Sequence, residues 1–125
     1  FQPFEESFTG GVFVAAGDLD GDGVADFVVT PDEGGGPRVQ VVSGATGHTL
    51  ADFFGIEDEA FRGGARAAVG DLNGDGADDL IVAAGYGGGP RIAVYDGRTV
   101  GRADRPAKLV GDFFAMDPNL RNGLY

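Results

Sequence analysis

The chain contains its own near-copy. Residues Phe8–Gly44 align without a gap on Phe61–Gly97, an offset of 53, and nineteen of the 37 paired positions are identical. The shared framework reads F-x-G-G, then G-D-L-x-G-D-G-x-x-D, then G-G-G-P-R. A partial third copy closes the chain. Asp112-Phe113-Phe114 repeats Asp52-Phe53-Phe54 at a spacing of 60, and Asn122-Gly123 falls near Gly63-Gly64. The second copy therefore carries about seven extra residues, placed within Arg98–Lys108. A fixed period of this size is the mark of a repeat architecture and overrides any reading of isolated segments.

Each copy divides into four short strands. The first gives Val12–Gly17, Asp26–Thr30, Arg38–Val42 and Leu50–Phe54; the second gives Ala65–Gly70, Asp79–Ala84, Arg91–Tyr95 and Leu109–Phe114. Leu80-Ile81-Val82 has the aliphatic run of a buried strand, and Ile92 and Val94 share a face of the next one. Twenty-four glycines and six prolines recur too often for a helix of ten residues. Four strands in about 55 residues make one antiparallel meander. Such a sheet cannot bury both faces alone, and stacking it on its own copy solves that problem. The expected fold is all-β: four-stranded antiparallel propeller blades, about two per chain plus the start of a third. The boundaries are a lead-in at 1–7, which sets Phe1 against Phe54, repeats at 8–60 and 61–120, the second with a longer loop at 98–108, and the start of a third repeat at 121–125.

Chemistry concentrates in two nine-residue loops between the first and second strands. Asp18, Asp20, Asp22 and Asp26 stand at loop positions 1, 3, 5 and 9 of the first; Asp71, Asn73, Asp75 and Asp79 stand there in the second. Alternate residues of a tightly curled loop turn their side chains to one centre. Ca²⁺ takes six to eight oxygens, and Mg²⁺ gives up its waters less readily. Gly23 and Gly76 at position 6 permit a sharp turn, and Val24 and Ala77 at position 7 have only a backbone carbonyl to offer. Two unit charges about 5 Å apart repel by roughly 3 kcal/mol at an effective dielectric near 20. The curled first loop therefore calls for a cation. Asn73 makes the second loop the weaker site, with Asp78 offsetting part of the loss. Position 12 is Val29 or Val82, within a strand, which excludes the helix–loop–helix calcium motif with its terminal Glu. Two Ca²⁺ per chain are expected.

Composition narrows the partners. The formal net charge is −11 with nine basic residues, which argues against nucleic acid. No apolar run is long enough to insert into a membrane. The absence of cysteine excludes disulfides and thiolate-bound metals.

The repeated D-L-D-G-D-G-x-x-D and D-L-N-G-D-G-x-x-D resemble the calcium loops of FG-GAP and VCBS repeats, which build the propeller heads of integrin α subunits and many bacterial exported proteins. The resemblance covers nearly the whole chain. It implies side-chain ligation at the first, third, fifth and ninth positions and carbonyl ligation at the seventh, on Asp18, Asp20, Asp22, Asp26 and Val24, and on Asp71, Asn73, Asp75, Asp79 and Ala77. The Gly-Ala-Pro expected after the second strand is missing; Thr30-Pro31-Asp32 and Ala83-Ala84-Gly85 stand there. The G-G-G-P-R segments look like a variety found in large bacterial surface proteins.

Alternate loops of a meander lie at opposite ends. The metal loops should share one end with Arg98–Lys108, leaving the other rim for ligand. That insertion reads as a longer solvated hairpin loop, its four basic residues offering a docking patch as the sharper alternative. Gly34–Pro37 and Gly87–Pro90 read as tight turns and not phosphate cradles, since no P-loop Lys or helix follows. Arg38 and Arg91 should pair with nearby acids. His48 reads as an exposed loop residue, and the Phe pairs as packing groups. The functional expectation is a non-catalytic, calcium-stabilised module for adhesion or scaffolding at a bacterial surface or outside the cell. The alternatives are a lectin-like ligand-binding propeller, with a protein or glycan ligand, and the propeller part of a polysaccharide-degrading enzyme. Other copies of the chain are candidate partners that would complete a ring.

Overall fold

The computed structural model describes residues 3–124, so Phe1 and Gln2 of the expected lead-in and the final Tyr125 lie outside the described residues. Eight strands follow in order: β1 (Val12–Gly17), β2 (Asp26–Pro31), β3 (Arg38–Val42), β4 (Thr49–Phe54), β5 (Ala65–Gly70), β6 (Asp79–Ala84), β7 (Arg91–Tyr95) and β8 (Lys108–Phe114). They form two four-stranded sheets, β1-β2-β3-β4 and β5-β6-β7-β8, each pairing consecutive strands antiparallel. The strands match the sequence reading to within a residue at each end, and the all-β blade architecture is as expected.

Register carries the repeat into space. Gly17 pairs with Asp26 at the mouth of the first acidic loop, and Gly70 pairs with Asp79 at the mouth of the second. Both loops therefore leave their sheets in the same geometry.

The two sheets stack face to face. Val28, Val39, Val41, Ala51 and Phe53 of the first sheet join Ala65, Leu80, Val82, Ala93 and Tyr95 of the second in one buried cluster. β5 packs on β1 and β2. Ile92 and Val94 do share a face, but the residues of β7 committed wholly to this core are Ala93 and Tyr95, both 0% exposed. The Tyr95 ring meets Phe53 edge-on at 5.1 Å between centroids, and its hydroxyl donates to the Gly55 carbonyl at 2.8 Å. A buried tyrosine needs such an acceptor. Arg66 crosses the same junction. Its guanidinium lies 3.7 Å from the centre of the Phe13 ring and pairs with Asp32 at 2.9 Å.

The expected solvated insertion is only partly solvated. Gly97–Thr99 forms a 3-10 turn, and Val100 and Pro106 are buried. Arg105 donates to the Phe54 carbonyl and pairs with Glu57. The segment straps the second sheet to the exit of the first because its apolar residues gain more from that burial than from exposure.

Candidate metal centre

In the first loop, one carboxylate oxygen from each of Asp18, Asp20 and Asp22 lies within 4.8 Å of the others. The loop backbone holds them there. Asp18 accepts from the amides of Gly21 at 2.8 Å and Gly23 at 2.9 Å, Asp20 from Asp22 at 3.0 Å, and Asp22 from Val24 at 2.8 Å. Each bond is the local side-chain-to-backbone kind that Asp makes in turns. Gly23 sits at φ +86°, where a side chain would be strained. These bonds engage one oxygen each of Asp20 and Asp22. Among the described residues no hydrogen bond engages the other.

Asp26 is not part of that trio. It is 0% exposed, and both its oxygens face amides: Leu19 and Asp20 donate to Oδ2 at 2.9 and 3.3 Å, and Gly44 to Oδ1 at 3.2 Å. Its partners tie the start of the loop to the β3–β4 turn. Gly44 approaches so closely that a Cβ there would overlap the Ala25 carbonyl.

The second loop repeats the scaffold with different charge. Asp71 accepts from Gly74, Asp75 and Gly76, Asn73 from Asp75, and Asp75 from Ala77. Asp79, also 0% exposed, accepts from Leu72 at 2.9 Å and Gly97 at 3.1 Å. Arg98 lies against Asp75, with Nε 2.8 Å from Oδ2 and Nη2 donating to the Asp75 carbonyl at 2.6 Å.

Asp78, expected to offset the missing charge of the second loop, also reaches the first. Its Oδ2 accepts from the Asp18 amide at 3.1 Å, across the blade junction. The close stacking of β5 on β1 brings the two loops side by side.

Charge differs between the loops. Loss of hydration pushes the Asp20 carboxyl up, the Asp22 amide opposes this, and the charges of Asp26, Asp22 and Asp18 add to the rise. Asp71 moves the other way: the Gly76 amide, foremost among its backbone donors, holds it below the ordinary carboxylate value. The donor set of the first loop suits a hard cation. It is all oxygen, preshaped and anionic. Val24 and Ala77 follow the turn glycines, and their amides donate to Asp22 and Asp75 at 2.8 and 2.9 Å.

Elsewhere the sequence reading meets the structure directly. Arg38 pairs with Asp52 at 2.7 Å and Glu5 at 3.0 Å, and Arg91 with Asp112 at 2.7 Å. His48 is exposed. Of the insertion's basic residues, Arg98, Arg105 and Lys108 each pair with an acid of this chain, which leaves little of the acidic-partner docking patch. Tyr95, Arg66 and the crossing of Asp78 were not foreseen. Each depends on the stacking of the blades, and only the strict repeat hinted at that contact.

Comparison with known proteins agrees with the all-β blade architecture. The FG-GAP repeat family model matches residues 63–100, which run from the lead-in glycines through the second loop to the insertion. Integrin alpha-V of Gallus gallus is 33% identical over 115 residues, covering 80% of this chain and 11% of the relative. The chain thus spans about a tenth of that relative's length, 11%. No solved structure matches. The chain carries the FG-GAP propeller-type repeat.

Proposed function

We propose that the chain is a non-catalytic propeller module whose two loops bind Ca²⁺, and that the ion fixes each strand–loop–strand unit for an adhesive or scaffolding role outside the cell or at its surface. The observation that carries this is the convergence of Asp18, Asp20 and Asp22 within 4.8 Å on a loop already shaped by its own amides. Asp18, Asp20 and Asp22, with the Val24 carbonyl, would hold the ion in the first loop; Asp71, Asn73, Asp75 and the Ala77 carbonyl would do so in the second. Asp26 and Asp79 brace both loops from behind. Bound calcium supplies positive charge where the loops concentrate negative charge. The likeness to integrin alpha-V supports the extracellular setting, and no helix among the described residues is long and apolar enough to cross a membrane. Isothermal titration of the chelator-stripped chain tests the reading: two calcium sites are expected, and no binding heat would refute it.

The free sheet faces support further blades. Val28 and Phe53 are buried between the sheets, at 0% and 8% exposure, while Phe113, the counterpart of Phe53, is 45% exposed on the second sheet's outer side. That side is the copy of the one the first sheet uses. A further blade, from a longer chain or another copy, would bury it; sedimentation in Ca²⁺ showing only monomer would exclude assembly between copies.

A ligand-binding propeller is the second reading. A cleft of about 570 Å³ opens at the rim away from the metal loops, lined by Phe4, Phe8, Phe54, Arg38 and Arg62. Its aromatic and guanidinium lining would suit a sugar or an acidic peptide. Glycan binding retained when Asp20 and Asp22 are replaced by Ala would favour this reading.

A further inference from the structure

One difference between the two repeats brings a basic side chain against a loop. Gly44 and Gly97 are equivalents: each donates its amide to the ninth-position carboxylate, at 3.2 Å to Asp26 and 3.1 Å to Asp79. The next residue is Ala45 in the first repeat and Arg98 in the second. Ala45 brings no charge to its loop. Arg98 places Nε 2.8 Å from Asp75 Oδ2, the oxygen that the Ala77 amide does not use, and also binds the Asp75 carbonyl. Asp75 stands at loop position 5, the place of Asp22, which has no such partner among the described residues. The local fold sets the arginine's position. Asp96 caps the 3-10 turn by accepting from the Arg98 amide at 3.0 Å, so the side chain starts beside the loop. The Arg98 side chain is 58% exposed and free to swing outward without disturbing the core.

We infer that Arg98 is a tethered counter-ion that competes with calcium for the second loop. This rests on the calcium reading above and gives the two loops different roles. The first has no ion pair among the described residues, although its Asp20 lines the same cleft as Arg98 and Arg102. The second is partly neutralised from within and holds its shape at lower calcium. The effect is separate from that of Asn73, which removes a charge from the loop, whereas Arg98 occupies a ligand oxygen and repels an incoming cation. A unit charge about 6 Å from a divalent ion lowers its affinity roughly tenfold in water-like surroundings.

The test follows each loop separately in the full chain. The amides of Gly23 and Gly76, at the sixth position of each loop, are monitored by ¹H–¹⁵N NMR during titration with CaCl₂ of wild type, R98Q and A45R. R98Q is expected to shift the Gly76 midpoint to roughly tenfold lower calcium and leave that of Gly23 within about twofold. A45R is expected to weaken the Gly23 response. In chelator, R98Q should broaden the Gly76 region, because the loop has lost its internal cation. An unmoved or weakened Gly76 midpoint in R98Q, with Gly23 titrating normally, overturns this inference alone, as does an A45R chain whose Gly23 response is unchanged. If neither glycine responds to calcium in wild type, this inference and the calcium reading fall together.

Discussion

Asp26→Asn separates two jobs that the ninth loop position could perform. The wild-type carboxylate is fully buried and accepts three amides, from Leu19, Asp20 and Gly44. An asparagine has one oxygen. Turning its NH₂ toward Gly44 keeps the Leu19 bond and sets two donors face to face; the opposite rotamer loses both bonds to the loop. A hydrogen bond to a charged group contributes about 1.5–3 kcal/mol. Losing one and weakening the others should cost roughly 2–4 kcal/mol. The substitution also removes one negative charge beside Asp18, Asp20 and Asp22. That relief is worth less, because the other three carboxylates are more exposed and are screened over about 8 Å at physiological salt. The net loss should lower the melting temperature by roughly 8–15 °C for a chain of this size. Asp79→Asn, with two amides on its carboxylate, should lose less. The assay is thermal unfolding in chelator, followed by far-UV circular dichroism at low salt and at about 0.5 M salt. If D26N melts with wild type in chelator and differs only when calcium is present, the carboxylate is a metal ligand alone and the bracing argument is wrong.

Other expectations follow from the blade junction and the surface pairs. Tyr95→Phe removes the donor to the Gly55 carbonyl and should cost about 1–2 kcal/mol in urea unfolding, while Tyr95→Ala should cost about 3–5 kcal/mol by also emptying the space beside Phe53; equal costs would mean that the hydroxyl, and not the ring, holds the blades together. The hydrogen bonds from Arg38 hold the Asp52 carboxyl below its usual value of 3.8. Burial pulls Asp112 upward, but the hydrogen bonds from Lys108 and Arg91 outweigh it and hold it low as well. Both carboxyls are depressed in the folded state, so their stabilisation is complete above about pH 4 and fades as pH falls through their folded values. Arg38→Gln should therefore flatten stability against pH below about 4 and change its slope little above pH 5; a slope unchanged below pH 4 would contradict the assignment.

Much of the fold was legible because the repeat made each half a check on the other. The strand limits, the loop positions and the pairing of Arg38 and Arg91 follow from alternation and turn residues that recur at the same spacing. The illegible part lies where the two halves touch. Tyr95 has Val42 as its counterpart, so no repeated position announced a ring in the core. Asp78 read as a neighbour of the second loop because sequence records distance along the chain, whereas the stacking of β5 on β1 sets distance in space. Arg98 read as part of a solvated loop because a 3-10 turn of three residues leaves no periodic trace. Asp26 and Asp79 read as ninth-position metal ligands, because their spacing could not show that both oxygens of each accept backbone amides.

Thermal unfolding of the chelator-stripped chain against calcium concentration is the decisive measurement. Occupation of a site at a hundredfold its dissociation constant adds about 2.7 kcal/mol to stability. The melting temperature should therefore climb steadily with the logarithm of added Ca²⁺, and much less with Mg²⁺ at equal ionic strength. A melting temperature that stays flat from chelator to millimolar calcium would show that these acidic bends are ordinary turns.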